Sequence, residues 1–388
     1  MPGYEVFGDE ERQAINEIFD LNGGVLFAHG FDGMRNGVYR VREYERAFAD
    51  RFGFAYGQAV SSGTAAVKVA LESAGVGPGD EVITQAHTYV ATVEAIMAVG
   101  AMPVIVDVDT TLNLNPQAFE LAITDRTRAV VPVHMMGEMA DMDPIMSIAR
   151  AHDLIVVEDC AQALGANYRG SWAGSFGKSA AFSTDAGKTL NTGEGGMVLT
   201  QDVDVYELAR AVHDHGHAYA DVPRGQDLGI APGFNFRMTE IQGAIGLVQL
   251  RKLDFIVQQQ RANKAALMNH LIDLPIEFRR SPYPDGDIGD TIVMFLPTRE
   301  SARAMVTKLT AAGLGTKNLP DAMQWHFSKH WGHLLSRYEM YEGKFDLQWV
   351  ATAEILERSV ALPVSVRLQE PDVDRISQGV SDACLAAL

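Results

Sequence analysis

Short apolar runs alternate with longer stretches of helical spacing over residues 41–250. The runs GQAV, EVITQ, MPVIVDVD, RAVVPVH and LIVVEDC are typical of buried strands. The stretches between them, such as TYVATVEAIMAVGA and DPIMSIARAHD, repeat apolar residues three or four positions apart, as helices do. This alternation predicts an α/β fold whose sheet is mostly parallel and is covered by helices on both faces.

The flanking segments follow other patterns. Residues 9–20 predict a short helix, and the glycine- and aromatic-rich residues 21–40 predict an ordered loop. Residues 239–271 have the pattern of one long helix, after which DTIVMFLP predicts a strand and a helix follows from about residue 300. Because 388 residues exceed one ordinary core, we predict two domains. The large domain spans 1–250, with an N-terminal arm over 1–40, and a smaller C-terminal α+β domain spans 251–388.

The amino-acid composition argues against some classes of binding partner. The formal net charge is −18 at pH 7, and an acidic surface repels nucleic acid and anionic lipid. Cys160 and Cys384 lie far apart and give neither a redox nor a metal-ligand spacing. The first residues lack the apolar core of a signal peptide, and no apolar run is long enough to cross a bilayer. These features favour a cytoplasmic enzyme without a nucleic-acid or membrane partner.

Three short segments carry candidate chemistry, although each also has an ordinary structural interpretation. Asp159 follows the apolar run LIVV, where a carboxylate is costly to bury unless a cation faces it. Lys188 lies between an apolar segment and a glycine-rich turn, which favours a cleft over an open surface. SSGTAA opens a helix, and helix N–H groups bind anions. Pyridoxal 5'-phosphate requires three such features in its binding site. They are a lysine that forms an imine, a carboxylate that keeps the ring nitrogen protonated and a helix start that binds the phosphate.

The same segments resemble the DegT/DnrJ/EryC1/StrS family of sugar aminotransferases. The matching stretches are SSGTAA, AHTYVATVEAI, VVEDCAQALGA, FSTDAGKTLNTGEGG and GFNFRMTEIQGAIG. The resemblance implies the pyridoxal-phosphate-dependent transferase fold of type I, with a seven-stranded sheet, and a homodimer. It also implies a ping-pong reaction in which glutamate gives its nitrogen to the cofactor and a keto or aldehyde sugar then receives it.

The resemblance further implies roles for individual residues. Lys188 matches the lysine that bonds to the cofactor and then moves a proton as a general base. Asp159 matches the partner of the ring nitrogen. The remaining matches are Gly63, Thr64 and Ser183 at the phosphate, Gln162 near the ring hydroxyl, Tyr89 stacked on the ring, Asn235 reaching the phosphate from the neighbouring subunit, and His326 on the substrate side.

Other functions compete with this interpretation. A dehydratase of the same fold would carry histidine in place of Lys188, and a catalytically silent cofactor-binding regulator would carry an added sensor or DNA-binding segment. A nicotinamide-dependent dehydrogenase would need G-x-G-x-x-G after the first strand, which SSGTAA does not supply. The cluster HDHGH, with His213, His215 and His217, resembles a metal tract but lacks supporting ligands at the usual spacing. No metal is therefore predicted.

The segment VLFAHGFDGMRNGVYRVREYE bears on the acceptor. It resembles a branch of the family associated with the synthesis of 8-amino-3,8-dideoxy-manno-octulosonate for lipopolysaccharide, whose acceptor is the 8-aldehyde of an acid sugar. A buried carboxylate needs a cationic partner, and Arg35 and Lys317 are the candidates. The alternative acceptor is a nucleotide-linked keto-hexose.

Overall fold

The structure is a computed structural model that describes residues 2–220, 226–316, 324–342 and 345–388. Its main element is a seven-stranded sheet, beside which lies a small hairpin. The strands of these two sheets are β1 (Tyr56–Val60), β2 (Glu81–Gln85), β3 (Met102–Val106), β4 (Thr127–Val131), β5 (Ile155–Asp159), the hairpin strands β6 (Asn167–Tyr168) and β7 (Ser171–Trp172), β8 (Ser179–Ser183) and β9 (Gly196–Thr200).

The large sheet has the spatial order β1-β9-β8-β5-β4-β2-β3. Its adjacent pairs are parallel except the two pairs that β9 makes with β1 and β8. Parallel neighbours require crossover connections, and these are mostly helical here. The carboxyl ends of the parallel strands therefore meet at one edge, where the sites of such sheets lie.

Helices surround this sheet and continue into the C-terminal part. Those in the described residues are α1 (Pro2–Glu5), α2 (Asp9–Leu21), α3 (Arg40–Phe52), α4 (Gly63–Ser73), α5 (Ala91–Ala98), α6 (Pro116–Leu121), α7 (Met142–Ala151), α8 (Val203–His213), α9 (Glu240–Leu271), α10 (Arg299–Ala311), α11 (Gly332–Leu335), α12 (Val350–Glu357) and α13 (Glu370–Leu385).

Helix α4 illustrates how the sequence starts an element beside the sheet. Ser62 has extended backbone angles, and its side chain accepts a hydrogen bond from the N–H of Ala65 at 3.1 Å. This cap satisfies one of the N–H groups that a helix start leaves without a partner. Val67, Val69 and Leu71 follow and are buried against the sheet, so burial of apolar surface holds the helix in place.

The C-terminal part has its own core around a smaller sheet. Strands β10 (Glu277–Phe278), β11 (Thr291–Phe295) and β12 (Ser359–Pro363) pair antiparallel, and α10 and α13 pack on them and on each other. The long helix α9 contacts α2 and α3 at one end and α13 at the other. It runs unbroken through residue 250, so the domain division near that residue stays a prediction about folding units.

The fold class predicted from the sequence is confirmed. The expected alternation is present from β1 to β5, and the long helix over 239–271 begins one residue later, at Glu240. Strands β8 and β9 were not predicted. Their apolar runs, SAAFS and GMVLT, flank the loop that carries Lys188. Across the described residues, none of the helices combines the length and the apolar character that crossing a membrane demands.

Candidate active site

The carboxyl ends of β5 and β8 meet the loop 184–195 at one edge of the sheet. Asp159 is the last residue of β5 and Ser183 the last residue of β8, while Lys188 lies on the loop. Gly63, at the start of α4, packs directly on Ser183: a Cβ at Gly63 would lie 2.6 Å from the Ser183 Cβ. Residues far apart in sequence are thus brought together as the motifs predicted.

Asp159 is a buried carboxylate whose two oxygens each accept a hydrogen bond. Its side chain accepts from the Thr92 hydroxyl at 2.8 Å and from the Ala161 N–H at 3.1 Å. Burial raises the pKa of Asp159, although these bonds and the charges of Lys188 and His134 act in the opposite direction. The ionised form would be favoured by a further cation at this position, and a protonated ring nitrogen is such a cation.

Thr92 is a functional candidate that the sequence analysis missed. It lies on α5, is 1% exposed, and its hydroxyl is also 2.7 Å from the Thr88 hydroxyl. Because the Thr92 hydroxyl donates to Asp159, this pair of threonines fixes the orientation of the carboxylate. The segment AHTYVATVEAI contains both threonines, but nothing in it marks which hydroxyl faces a residue 67 positions away.

The loop that carries Lys188 is held by hydrogen bonds at its base. The hydroxyls of Thr184 and Thr192 lie 2.7 Å apart, and the Thr192 N–H donates to the Thr184 carbonyl at 2.8 Å. Gly195, with φ of +155°, fits between the two hydroxyls, where a Cβ would come within 2.7 Å of Thr192 Oγ1. The Lys188 side chain is about one-fifth exposed, at 21%, so a fixed loop presents it to a partly open space.

The start of α4, which lies beside this loop, is the candidate anion site. The first N–H groups of a helix lack acceptors within the helix and carry its positive dipole end. Ser183 packs on Gly63 and Thr64 is the second residue of α4, so this helix start carries two hydroxyl side chains. The close approach of Gly63 to Ser183 leaves no room for a side chain between them. This arrangement fits a phosphate group.

A cavity of about 380 Å³ opens next to Lys188. Gln162, Asp290 and His326 contribute polar side chains to its wall. Gln162 accepts from the Met136 N–H through its side chain at 3.2 Å, and the ring of His326 lies 5.3 Å from that of Tyr89. Among the described residues, a second cavity of about 440 Å³, between α3, β1 and α8, contains none of the predicted site residues.

The N-terminal helix α1 reaches the 380 Å³ cavity next to Lys188, a position that the sequence did not indicate. Pro2 forms part of its wall, and the Gly3 N–H donates to the Lys188 carbonyl at 3.1 Å. The Glu5 carboxylate accepts from the Val366 N–H at 2.8 Å, beside the small sheet. Helix α1 therefore ties the Lys188 loop to the segment that follows β12.

Two of the remaining predicted site residues, Arg35 and Asn235, do not line the cavity next to Lys188. Arg35 is fully buried, donates to the Phe27 carbonyl and lies 3.5 Å from the Glu240 carboxylate, so it does not line the cavity. Lys317 lies outside the described residues. Asn235 is exposed and does not line the cavity of its own chain, although the adjacent Phe236 carbonyl accepts from Ser61 just before α4.

The clustered histidines have separate partners. His213 Nδ1 lies 2.5 Å from the Arg210 carbonyl, and burial lowers the pKa of His213 to about 4. His217 instead faces Asp227 at 3.3 Å.

A second group of possible metal ligands is accounted for by hydrogen bonds. His134, Glu158 and Cys160 bring their ligand atoms within 4.8 Å of one another. However, the Ala140 N–H donates to His134 Nδ1, and the other ring nitrogen lies 3.1 Å from Glu158. The Glu158 carboxylate also accepts from three backbone N–H groups, those of Gly174, Phe176 and Gly177. These bonds give the buried carboxylate a structural role.

Comparison with known proteins identifies the family. The model of the DegT/DnrJ/EryC1/StrS aminotransferase family matches residues 32–381. The GDP-perosamine synthase of Caulobacter vibrioides is 46% identical over 215 residues, which cover 55% of this chain and 57% of that protein. The spore coat polysaccharide biosynthesis protein SpsC of Bacillus subtilis is 34% identical over 384 residues, or 97% of this chain and 95% of that protein.

A solved structure agrees with this assignment. DesV of S. venezuelae, determined in complex with a ketimine intermediate, has a TM-score of 0.81 and is 31% identical, covering 97% of this chain and 94% of that chain. The chain belongs to the DegT/DnrJ/EryC1/StrS aminotransferase family, and it is an aminotransferase.

Proposed function

We propose that this aminotransferase uses pyridoxal 5'-phosphate to move an amino group from glutamate to the carbonyl carbon of a sugar. The observation that carries the proposal is the meeting of Asp159, Lys188 and the Gly63–Ser183 contact at one edge of the sheet. When bound, the cofactor supplies an electron sink, which makes the C–H bond of the carbon that carries the amino group more acidic. The donor set fits it, because a buried carboxylate, a primary amine and an anion site are all present.

Each residue has a distinct task in this proposal. Lys188 would hold the cofactor through Nζ and, as a free amine, would move a proton at the donor carbon as a general base. Asp159, oriented by Thr92, would keep the ring nitrogen protonated. Tyr89 would stack on the cofactor ring, and Gln162 would hold the ring hydroxyl.

The remaining residues bind the phosphate and the acceptor. Ser183, Thr64 and the N–H groups at Gly63 hold the phosphate. His326 contacts the acceptor, since its ring lines the cavity beside Tyr89.

We infer that the enzyme is a homodimer in which Asn235 of one subunit serves the cofactor phosphate of the other. Asn235 is exposed in the single chain, and the apolar residues Leu228, Ile230 and Phe234, which precede it by at most seven positions, are more than half exposed. Several exposed apolar side chains in one segment favour a surface that another chain covers. An amide is also a suitable donor to a phosphate oxygen.

For the acceptor, we propose the 8-aldehyde of 3-deoxy-manno-octulosonate, on the pattern of residues 25–45. The second candidate is a nucleotide-linked keto-hexose, which the name of the perosamine synthase relative favours. Since Arg35 is enclosed with Glu240, the acid sugar's carboxylate must find another cation, and Lys317 is the remaining candidate.

An acceptor panel tests this choice. The enzyme is first converted to its aminated form with glutamate, and each keto sugar is then added while the absorbance of the bound cofactor is followed. We expect recovery of the original spectrum with the octulosonate aldehyde. Recovery with the nucleotide-hexose alone would favour the second acceptor, and failure of glutamate to change the spectrum would contradict the proposed donor.

A further inference from the structure

Asp185 is a charged neighbour of Lys188 to which the reaction outlined above gives no task. It lies three positions before Lys188, and its Oδ2 is 3.7 Å from Lys188 Nζ. The same Oδ2 accepts a hydrogen bond from the Ser183 hydroxyl at 3.2 Å. One carboxylate oxygen thus faces both the amine and a hydroxyl from the phosphate end of the site.

The other oxygen of Asp185 has a different function. Its Oδ1 accepts from the Gly187 N–H at 2.6 Å, and the Asp185 carbonyl accepts from the Lys188 N–H at 3.0 Å. These two bonds shape the turn that presents Lys188, which an aspartate side chain does commonly. Asparagine at this position retains an acceptor for the Gly187 N–H, so the turn and the charge can be separated by one substitution.

We propose that Asp185 is a positioning residue that holds the Lys188 nitrogen in its cationic form. The inference rests on the proposed function of Lys188 as the cofactor lysine. An anionic oxygen within 4 Å stabilises the protonated nitrogen of Lys188. Asp185 does not touch the reacting carbon and acts through Lys188.

Other charged groups face Lys188 and set the background for this effect. Asp159 lies near enough for the two charges to interact, and Asp290 and His326 lie in the wall of the same cavity. Asp159 is committed to Thr92 and Ala161, whereas Oδ2 of Asp185 is directed at the amine. Removing the charge of Asp185 should therefore shift the protonation of Lys188 while Asp159 remains in place.

The test is a pH titration of the absorbance of the purified enzyme with bound cofactor. For Asp185→Asn, we expect the midpoint of the spectral change to fall to lower pH, because an opposite charge beside the nitrogen favours its protonated form and partial exposure only weakens this effect. Asp185→Glu, which retains the charge on a longer side chain, should recover part of the shift. The matched control is Glu194→Gln, an exposed carboxylate of the same loop, which should leave the midpoint unchanged.

A second readout uses the cofactor-free protein. Reductive methylation at neutral pH, followed by peptide mass spectrometry, should modify Lys188 faster in Asp185→Asn than in the parent, because more of the amine is uncharged. If Asp185 only shapes the turn, Asp185→Asn will change neither the spectral midpoint nor the methylation rate, and the proposal is overturned. Cofactor bonded to a different lysine in the parent enzyme would instead contradict the proposed function itself, so the two failures are distinguishable.

Discussion

The two sides of the candidate site around Lys188 are built in different ways. One side, called here the cofactor wall, consists of the ends of β5 and β8 and the start of α4, which meet the Lys188 loop. The other side, called the acceptor wall, lines the cavity next to Lys188 and takes Pro2, His326 and Pro363 from the N-terminal helix and from two C-terminal segments. The cofactor wall is fixed by the sheet, whereas the acceptor wall depends on distant parts of the chain lying together.

This difference separates chemistry from substrate choice. Thr92, Asp159 and Ser183 are nearly inaccessible and hydrogen-bonded, which favours one geometry for any substrate. Tyr89 is 46% exposed and His326 half-buried, so ligands can reach them. Changes in the cofactor wall should lower the rate with every acceptor, and changes in the acceptor wall should alter the choice among acceptors.

The largest expected loss of activity comes from substitutions that test whether one chain builds the cofactor wall alone. Lys188→Ala should lower the rate by about 10⁴-fold or more, since both the covalent amine and the general base are lost. Asn235→Asp, which places a negative charge against the phosphate, should also give a poorly active homodimer. If sites are shared, equal mixing should restore about a quarter of the parent activity, because half of the dimers then have one intact site.

The mixing experiment has a defined negative result. If Asn235 serves its own chain, every site of a mixed dimer keeps one defect, and no activity returns. Lys178→Ala, a change at an exposed lysine before β8, is the control for the loss of a positive charge. A fully active monomer in sedimentation analysis would also exclude shared sites.

Asp159→Asn should produce the next largest effect. The substitution keeps the shape and leaves one oxygen to accept from Thr92 or Ala161, and it removes the charge that holds the ring nitrogen protonated. We expect a loss of about a hundredfold in the single-turnover rate with glutamate and a similar loss with every sugar. A rate within a few fold of the parent would assign Asp159 a structural role only.

His326→Asn probes the acceptor wall. Loss of one hydrogen bond to the sugar should lower kcat/KM for the acceptor by about tenfold. The half-reaction with glutamate serves as the internal control and should remain nearly unchanged. Equal losses in the two half-reactions would show that His326 supports the whole site instead of selecting the sugar.

The smallest effect is expected at helix α1. An added Cβ at Gly3 would lie 2.8 Å from the Asn191 backbone nitrogen, so Gly3→Ala must displace α1 or the Lys188 loop. We expect a fall in Tm of about 2–5 °C, from the typical cost of overpacking, with a weaker effect on rate. Gly8→Ala in the same arm is the control, because no atom lies within 4 Å of a Cβ there. Equal Tm values for the two variants would show that packing of α1 against the Lys188 loop does not stabilise the fold.

The cofactor wall could be predicted from the sequence because each part is a local pattern. A carboxylate after an apolar strand, a lysine before a glycine-rich turn and a Ser-Gly-Thr helix start are visible without the fold. The acceptor wall could not be predicted in this way, since no short pattern places Pro2 beside Lys188. For the same reason, no short pattern indicates that Arg35 is buried against Glu240, which lies 205 positions later. Asp185 was visible in sequence, but only the distance to Nζ distinguishes it from any other loop carboxylate.

The most direct test of the account is to locate the covalent bond between protein and cofactor. The purified enzyme is reduced with borohydride, digested, and the peptide that carries the cofactor is sequenced by mass spectrometry. We expect the cofactor to be attached to Lys188, in the peptide that includes AGKTLNTGEGG. Attachment to any other lysine, or the absence of a covalent adduct in an enzyme that transfers amino groups, would contradict it.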